Sequence, residues 1–531
     1  MRTKAVRSIA WTLASFALLR VGTAFAVDEF RTPAISVVRV EWRAALDQLR
    51  AEIAASPSVA SDFTFSTQRH FRTADPRSMP AFVQLNASTS SVFAGISRSQ
   101  VPVLLPFDVT GWLKDRRNGV PASVARYQAD FRPVDFFDAG PSGYDAVFSL
   151  EPGADDGLPQ RTFANPIEVQ ITGSQLIYEI TDPAGGKGEP VKALSAQYPD
   201  LRRFIREGYV RYAFTRFGVP YVVSIQCLDS VPRPRRLACR EAYPVAERFL
   251  RALRIAGGLP AEPRSNILPG FAERPPNVAP DFTFRPVGDI IANSGTRGRT
   301  GNADLTSYSQ IRFPLDAPAF IHSQSFGRRR SSDSSNQPSG LYPWRDNFCE
   351  ARSFNVGQCA NGHGHQGQDL RAGACSLSSD TAGACDPRQQ PIFAVRDGVL
   401  IRSRKQQAAT LQINTRNEHI RFRYMHMNPA SMDADGVLNG RIVAEGEKIG
   451  VVSNYLDHPN GTSRHLHFDV QIFTRDGWVW VNPYITLVSA YERLLHGRGR
   501  EIGPLIAGAP IAARIQVDDA VHLDPQEGGE N

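Results

Sequence analysis

The chain has 531 residues, of which 42% are hydrophobic and 9% aromatic, and its formal net charge is +7. At ~150 residues per domain, this length predicts three or four folded units. The hydrophobic content excludes a disordered chain. The basic charge is diffuse and accompanies no nucleic-acid-binding motif, so we exclude that class of protein and expect the charge to be ordinary solvated surface.

The first 26 residues have the layout of a secretory signal peptide. Arg2, Lys4 and Arg7 precede an apolar run over residues 9–19, and a small-residue cleavage site ends at Ala26. The run is roughly half of the ~20 residues that span a bilayer, although an uncleaved membrane anchor is the alternative. The residue directly after the cleavage site is not a cysteine, so a lipid anchor is not expected there. No later segment is long and apolar enough to be transmembrane. We therefore expect an exported protein, either periplasmic or secreted.

Residues 27–256 are predicted to form one or two mixed α/β domains. Apolar residues recur at helical spacing over residues 41–54. Strand-forming runs follow at residues 101–107, 167–172, 175–180 and 209–225. Gly173-Ser174 predicts a tight hairpin turn, and residues 201–206 and 245–255 are predicted to be helices.

No catalytic constellation occurs in this N-terminal region, so its role stays open. It could recognise glycan strands, bind an envelope partner, or cover an active-site groove until displaced. Residues 257–307 are rich in Pro, Gly, Ser and Asn and predict a linker or covering segment. At the other end, residues 491–531 form an extension whose last sixteen residues contain five acids and no Lys or Arg. This tail is predicted to be disordered.

Two histidine motifs carry the chemistry of the C-terminal half. His365 and Asp369 stand four residues apart, and His465 and His467 stand two apart, so on a strand the latter pair would point to the same face. Seven of the eleven histidines lie between positions 363 and 467. Each motif alone recurs by accident, but their conjunction indicates a metal site, because three His/Asp ligands and one open position suit catalytic zinc.

Residues 308–490 resemble the M23 (lysostaphin/LytM-type) zinc metallopeptidases, which cleave peptide cross-links of bacterial peptidoglycan. The resemblance begins with Phe313-Pro314 and Phe326-Gly327-Arg328 and continues through the HQGQD motif at residues 365–369. Further pieces follow in the family's order: residues 391–395, 397–399, 424–427, 446–450, 464–469 and 482–484.

The resemblance implies that His365, Asp369 and His467 hold one Zn²⁺ per chain. It places His426 and His465 in the cleft without binding metal, as the groups that accept a proton and stabilise the oxyanion, in an order that the sequence leaves open. His363, two residues before His365, is a competing ligand. Asp469 is either an orienting partner of His467 or simply a polar strand residue.

The chain departs from the family pattern at two places. The connection after Asp369 is longer than usual, over residues 371–388, and Thr462-Ser463-Arg464 stands where the family often has Gly-Pro. The six cysteines are near neighbours in sequence, and in an exported chain they predict three disulfides, Cys227–Cys239, Cys349–Cys359 and Cys375–Cys385. Free thiols, or a four-thiolate zinc site from the last four, are the alternatives.

The fold class expected is an α+β N-terminal region followed by a mainly antiparallel β catalytic domain of the M23/LytM type. The function implied is an exported zinc endopeptidase acting on peptidoglycan peptides. Two alternatives remain: a non-hydrolytic LytM-like regulator of a cell-wall amidase, and a zinc peptidase acting on a peptide outside the wall. The sequence gives neither the cross-link that is cut nor the oligomeric state.

Overall fold

The computed structural model describes residues 30–54, 57–65, 79–119, 126–150, 167–180, 188–227, 237–261, 282–290, 302–316, 319–321, 344–372 and 390–502. Several sequence predictions lie outside these residues: the signal peptide, the Cys375–Cys385 disulfide, the Phe326-Gly327-Arg328 piece and the acidic tail.

The described residues form seven α-helices and twenty-three strands. The helices are α1 Trp42–Ala54, α2 Pro57–Ala60, α3 Pro80–Thr89, α4 Val109–Arg117, α5 Tyr243–Ala252, α6 Pro429–Ala434 and α7 Tyr484–Leu495, with 3₁₀ turns at Ile96–Arg98, Gln128–Asp130, Lys192–Leu194 and Cys239–Ala242. The strands of the N-terminal half are β1 Ile35–Val37, β2 Val103–Leu105, β3 Phe131–Gly140, β4 Gly143–Leu150, β5 Ile167–Ser174, β6 Leu176–Tyr178, β7 Glu189–Pro190, β8 Arg202–Arg206, β9 Tyr209–Arg216, β10 Val219–Gln226 and β11 Arg254–Gly257. The C-terminal half contains β12 Thr283–Phe284, β13 Ala319–Ile321, β14 Gln368–Ala372, β15 Pro391–Phe393, β16 Gly398–Ile401, β17 Ala409–Asn414, β18 His419–Met425, β19 Ile442–Val443, β20 Lys448–Val451, β21 Leu466–Thr474, β22 Gly477–Val481 and β23 Arg500–Glu501.

A seven-stranded antiparallel sheet organises the N-terminal half, in the order β3-β4-β5-β10-β9-β8-β7. Side chains alternate along each strand. In β10, Tyr221, Val223 and Ile225 therefore enter the core of this half, where helices α1 and α5 also bury their apolar faces. The predicted helix over residues 41–54 is confirmed as α1, because its apolar stripe has a core to pack against.

Two local predictions in this half are wrong, and a third, the helix over residues 245–255, is confirmed with an earlier end. The segment predicted as a helix over residues 201–206 is strand β8 instead, because a helix this short is marginally stable alone. The turn at Glu207-Gly208, whose φ angles are 58° and 74°, lets the segment pair with β9. The predicted helix over residues 245–255 ends at Ala252, and β11 then pairs with β2. The Gly173-Ser174 hairpin does not form, because β5 runs through Ser174 and β6 pairs with β1 instead.

A second antiparallel sheet organises the C-terminal half, in the order β13-β14-β21-β18-β17-β16-β19, with β22 also paired to β21. One face of β21, comprising Leu466, Phe468, Val470 and Ile472, is buried in a second hydrophobic core. The opposite face is polar, and we call it the front face: on β18 it comprises His419, Arg421 and Arg423, and on β21 His467, Asp469, Gln471 and Phe473. The predicted fold class, an α+β N-terminal region followed by a mainly antiparallel β domain, is confirmed.

The N-terminal sheet packs against the front face. Ile177, Ala213 and Val222 of the N-terminal half form an apolar cluster with Phe473 and Trp478 of the C-terminal half. Around this cluster the contacts are polar hydrogen bonds, such as Trp478 Nε1 to Thr172 Oγ1 at 3.0 Å and Gln412 Nε2 to Asp138 Oδ2 at 3.1 Å. The two halves therefore pack through an interface that is apolar at its centre and hydrogen-bonded around it.

Two of the three predicted disulfides fall within the described residues, and both are present. Cys227 is bonded to Cys239 and Cys349 to Cys359. The second pair cannot supply thiolates, so the four-thiolate zinc alternative is wrong. None of the described helices has the length and apolar character needed to cross a membrane.

Candidate metal centre

The pairing of β14 with β21 brings two distant motifs together. Asp369 is directly opposite His467, although the two are 98 positions apart in sequence. His365 precedes β14 and reaches the same point. Gly367 between them is required for this approach, because a Cβ there would lie 2.5 Å from the Phe468 carbonyl oxygen and 2.8 Å from His467 Nε2.

Three donor atoms form a nearly equilateral triangle. His365 Nε2 lies 3.0 Å from His467 Nδ1, and each of these nitrogens lies 3.3 Å from Asp369 Oδ1. Bonds of ~2.0–2.1 Å in a tetrahedral zinc site separate two ligand atoms by about 3.3 Å. All three residues are buried, and Asp369 Oδ2 has no hydrogen-bond partner among the described residues. The donor set and its spacing therefore fit a zinc ion.

Main-chain and side-chain contacts hold the ligands in place. The Asn347 carbonyl accepts a hydrogen bond from His365 Nδ1 at 3.0 Å, which leaves Nε2 as the donor atom toward a metal. The amide of Asp369 donates to Asn347 Oδ1 at 3.3 Å. Asp469 Oδ2 lies 3.4 Å from His467 Nε2, so the sequence prediction that Asp469 orients His467 has geometric support.

Asp469 is itself held by three neighbours. Its Oδ2 accepts from Arg423 Nε at 2.6 Å, and its Oδ1 accepts from the indole of Trp480 at 3.0 Å and from Gln471 Nε2 at 3.4 Å. Burial opposes ionisation of Asp469, but Arg423 and His467 outweigh it and lower the pKa of this carboxyl. An ionised carboxylate behind His467 makes the imidazole a stronger donor toward a cation.

Two further imidazoles adjoin the triangle. His465 Nδ1 lies 2.6 Å from the Ser463 carbonyl oxygen, so we assign the proton to Nδ1, and its Nε2 is 3.3 Å from Asp369 Oδ1. His426, which has a φ of 66°, likewise directs Nδ1 to the Tyr455 carbonyl oxygen at 3.1 Å. The ring centroids of His426 and His465 are 4.6 Å apart. In both rings Nε2 is left as the acceptor.

Burial sets the charge states of these histidines. It lowers the pKa of His426 well below the ordinary value, and the neighbouring His465 and His467 lower it further. Burial also lowers the pKa of His465, although Asp369 opposes the effect. Burial opposes the charge on His467 too, but there the Asp369 and Asp469 carboxylates prevail and raise its pKa. Neutral His426 and His465 can accept protons at neutral pH.

The structure separates the histidines that the sequence placed in one cluster. His363 is exposed and does not reach the triangle, so His365 is the ligand candidate. His458 is exposed as well, with Nδ1 near the Pro459 carbonyl. His419 bonds to Asp145 of the N-terminal sheet, a role that sequence analysis missed because the partner lies 274 positions away.

The sequence of the C-terminal half matches a known family. Residues 383–483 match the model of peptidase family M23. This segment is an M23 domain. It contains His426, His465 and His467, and the pairing of β14 with β21 adds His365 and Asp369 from the residues just before it. No curated protein matches the chain.

Solved structures show weaker likenesses. A candidate glycyl-glycine endopeptidase LytM from Ruminococcus gnavus is 16% identical with a TM-score of 0.21, over 36% of this chain and 62% of that one. The antimicrobial peptidase lysostaphin from Staphylococcus simulans is 22% identical with a TM-score of 0.17, over 24% and 45%. Csd3 from Helicobacter pylori is 15% identical with a TM-score of 0.17, over 54% and 69%. The chain thus spans less than two thirds of the first two structures.

Proposed function

We propose that the protein is an exported zinc metalloendopeptidase that hydrolyses peptide cross-links of bacterial peptidoglycan. The observation that carries this proposal is the triangle of His365 Nε2, Asp369 Oδ1 and His467 Nδ1, flanked by two imidazoles, in a chain with an M23 domain. The peptidoglycan substrate is inferred from the family resemblance. The triangle supports a metal-dependent hydrolase independently of that inference.

The five side chains divide into holding and reacting groups. His365, Asp369 and His467 would hold the ion. When bound, zinc polarises the scissile carbonyl and lowers the pKa of a water from ~15.7 toward ~7. His465 is the nearer acceptor, because its Nε2 lies 3.3 Å from the ligand oxygen of Asp369. We assign to His465 the removal of the proton from the attacking water, and its transfer to the leaving amine.

His426 has a different task in this proposal. Its ring is 6.1 Å from that of His467, farther from the ligands than His465. The Tyr455 carbonyl oxygen holds its Nδ1 at 3.1 Å, and its ring centroid is 4.6 Å from that of His465. From this position His426 takes up the proton that His465 carries and, in that protonated state, donates a hydrogen bond to the charge that develops on the substrate oxygen. The proton returns to His465 before it reaches the leaving amine.

Export is supported by the chemistry of the cysteines. Two cysteine pairs within the described residues form disulfides, and disulfides persist in oxidising compartments. Together with the N-terminal signal-like segment, this supports a location outside the cytoplasm, and we favour the periplasm because no repeat-type wall-binding module is recognisable in the sequence.

A second candidate is a non-hydrolytic regulator of a separate cell-wall hydrolase. One observation favours it: the N-terminal sheet packs on the same front face that carries His467 and Asp469. The presence of three ligand candidates together with His426 and His465 favours hydrolysis, because a protein that acts only by binding has no need of these two histidines.

The test is product analysis of purified sacculi treated with residues 27–531 and zinc. We expect new peptide ends in cross-linked muropeptides, whose masses identify the bond that is cut. Asp369→Ala should abolish them, whereas the matched surface variant Asp476→Ala should not. Intact cross-links with the zinc-loaded chain, combined with activation of an added amidase, would support the regulator instead.

A further inference from the structure

We infer that Arg371 is a positioning residue that holds His465 in the orientation for proton transfer. The inference rests on the proposed function, in which His465 is the proton acceptor. It assigns a purpose to a buried arginine that neither binds the metal nor contacts the reacting atoms.

The strand register places Arg371 beside His465. Asp369 is opposite His467 and Leu370 is opposite Leu466, so the next position, Arg371, falls level with His465. Side chains two residues apart on a strand share a face. Arg371 and His465 therefore lie on the same face as the metal ligands, one row further along the two strands.

The guanidinium of Arg371 donates two hydrogen bonds to the two residues that precede His465. Its Nη1 donates to the Arg464 carbonyl at 3.1 Å, and its Nη2 donates to Ser463 Oγ at 3.0 Å. The Ser463 carbonyl in turn accepts from His465 Nδ1 at 2.6 Å. Arg371 thus holds both sides of the Ser463–Arg464 peptide unit, whose carbonyl oxygen accepts the Nδ1 proton of His465.

The charge of Arg371 has no direct ion-pair partner within the described residues. The side chain is 8% exposed. Burial lowers the pKa of Arg371, and the more distant Asp369 and Glu350 carboxylates offset this cost only in part. The planar fork is suited to two acceptors on adjacent residues, a geometry that the single ammonium of lysine cannot reproduce.

Fixing the Ser463 carbonyl has a direct chemical consequence. While it accepts the Nδ1 proton, the lone pair of His465 is on Nε2, directed toward Asp369 and the metal position. If the Ser463–Arg464 segment were released, the ring could turn or change tautomer, and Nε2 would no longer accept a proton there. The metal ligands are held by Asn347 and Asp469, which lie outside this segment, and would stay in place.

The experiment compares Arg371→Met and Arg371→Lys with the wild-type full mature chain. Ser463→Ala removes one acceptor of the fork and serves if Arg371→Met does not fold. The matched control is Arg402→Lys, because Arg402 is a fully buried guanidinium that also bonds main-chain oxygens, at Gln406, Val437 and Pro429. Three quantities are measured: kcat and KM on a cross-linked muropeptide, bound zinc per chain, and the ring ¹⁵N shifts of labelled histidine, with His465 assigned by His465→Gln.

We expect Arg371→Met to lower kcat by about 10- to 100-fold with KM changed less than about twofold. Bound zinc should stay unchanged, and the Nδ1–H signal of His465 should give way to a mixture of tautomers. Arg371→Lys and Ser463→Ala should show smaller changes in the same direction, and Arg402→Lys should show none.

An unchanged kcat in Arg371→Met, or a lowered kcat with the His465 signal unaltered, overturns the inference. Loss of zinc from the variant also overturns it, since Arg371 would then support the ligands. If the zinc-loaded wild type cleaves no muropeptide, the proposed function fails instead. In that case the ¹⁵N spectrum still decides whether Arg371 sets the His465 tautomer.

Discussion

Asp145 Oδ2 lies 2.7 Å from His419 Nε2, and this contact joins the N-terminal sheet to the front face of the C-terminal sheet. The other carboxylate oxygen of Asp145 accepts from Arg421 Nη2 at 3.0 Å. All three side chains are buried. The N-terminal half is therefore anchored through charge in the interior, and not through surface contacts alone.

Asp145→Asn should destabilise the protein by about 3–5 kcal/mol. The substitution leaves Arg421 buried without its carboxylate, which costs far more than an exposed pair would. Denaturant unfolding of the full chain measures the loss. The matched control is Arg202→Ala at the partly exposed Arg202–Asp476 bridge, which also joins the two halves and should cost at most about 1 kcal/mol. Equal costs for the two variants would contradict the anchoring role of Asp145.

The contribution of Asp145 should disappear in acid. Burial raises the pKa of this carboxyl, but His419 and Arg421 outweigh it, so the folded-state pKa is below the ordinary 3.8. A depressed pKa means that the stabilisation is complete well above pH 3.8 and is lost as the pH falls through the folded-state value. The stability gap between wild type and Asp145→Asn should thus shrink as the pH falls below 3.8. A gap that widens in acid would contradict this sign.

Alanine substitutions should separate the metal ligands from the other two histidines. We expect the wild type to hold one zinc ion per chain, and His365→Ala, Asp369→Ala and His467→Ala, which each remove a donor of the triangle, to lose it. His465→Ala and His426→Ala should keep it while losing hydrolysis. Metal analysis after dialysis, with hydrolysis assayed in parallel, makes the comparison. Zinc loss in His465→Ala would instead make that residue a ligand.

Asp469→Asn should weaken zinc binding by about 10- to 100-fold. The amide cannot supply the negative charge that strengthens His467 as a donor, although it keeps the size of the side chain. Competition with a chelator measures the affinity. Asp476→Asn, the same change at a partly exposed carboxylate that bonds to Arg202, is the control and should leave the affinity unchanged.

The two disulfides should differ in their effect on the metal site. The amide of Cys349 donates to the His365 carbonyl at 2.9 Å, so the Cys349–Cys359 loop supports a ligand directly. Replacing this pair with serines should lower zinc affinity by about tenfold. Replacing Cys227 and Cys239 should lower the unfolding midpoint while leaving zinc affinity unchanged, because that pair belongs to the N-terminal core. Unchanged zinc affinity in the first variant would show that the loop holds His365 without its disulfide.

The candidate ligands could be proposed from sequence because each of the two histidine motifs is local. The spacing of His365 to Asp369, and of His465 to His467, fixes which side chains share a face once a strand is assumed. The helix at residues 41–54 was predictable for the same reason. Residues 201–206 were not, because a six-residue segment follows its hairpin partner rather than its own propensity.

Roles that depend on register or on distant partners could not be predicted. Arg371 reads as an ordinary polar strand residue until its alignment with His465 is known. His419 looked like another member of the histidine cluster, and only the packing of the two sheets brings Asp145 to it. Sequence spacing carries no information about contacts between positions 274 apart.

The direct pairing of Asp369 with His467 has a consequence for how such a protein can change over generations. Because two neighbouring strands position Asp369 and His467, the loops between the strands that follow β14 can gain or lose residues without moving a ligand. Selection for a new substrate and selection for metal chemistry then act on separate parts of the gene. A lineage can diversify the surroundings of the site freely while inheriting the same chemistry.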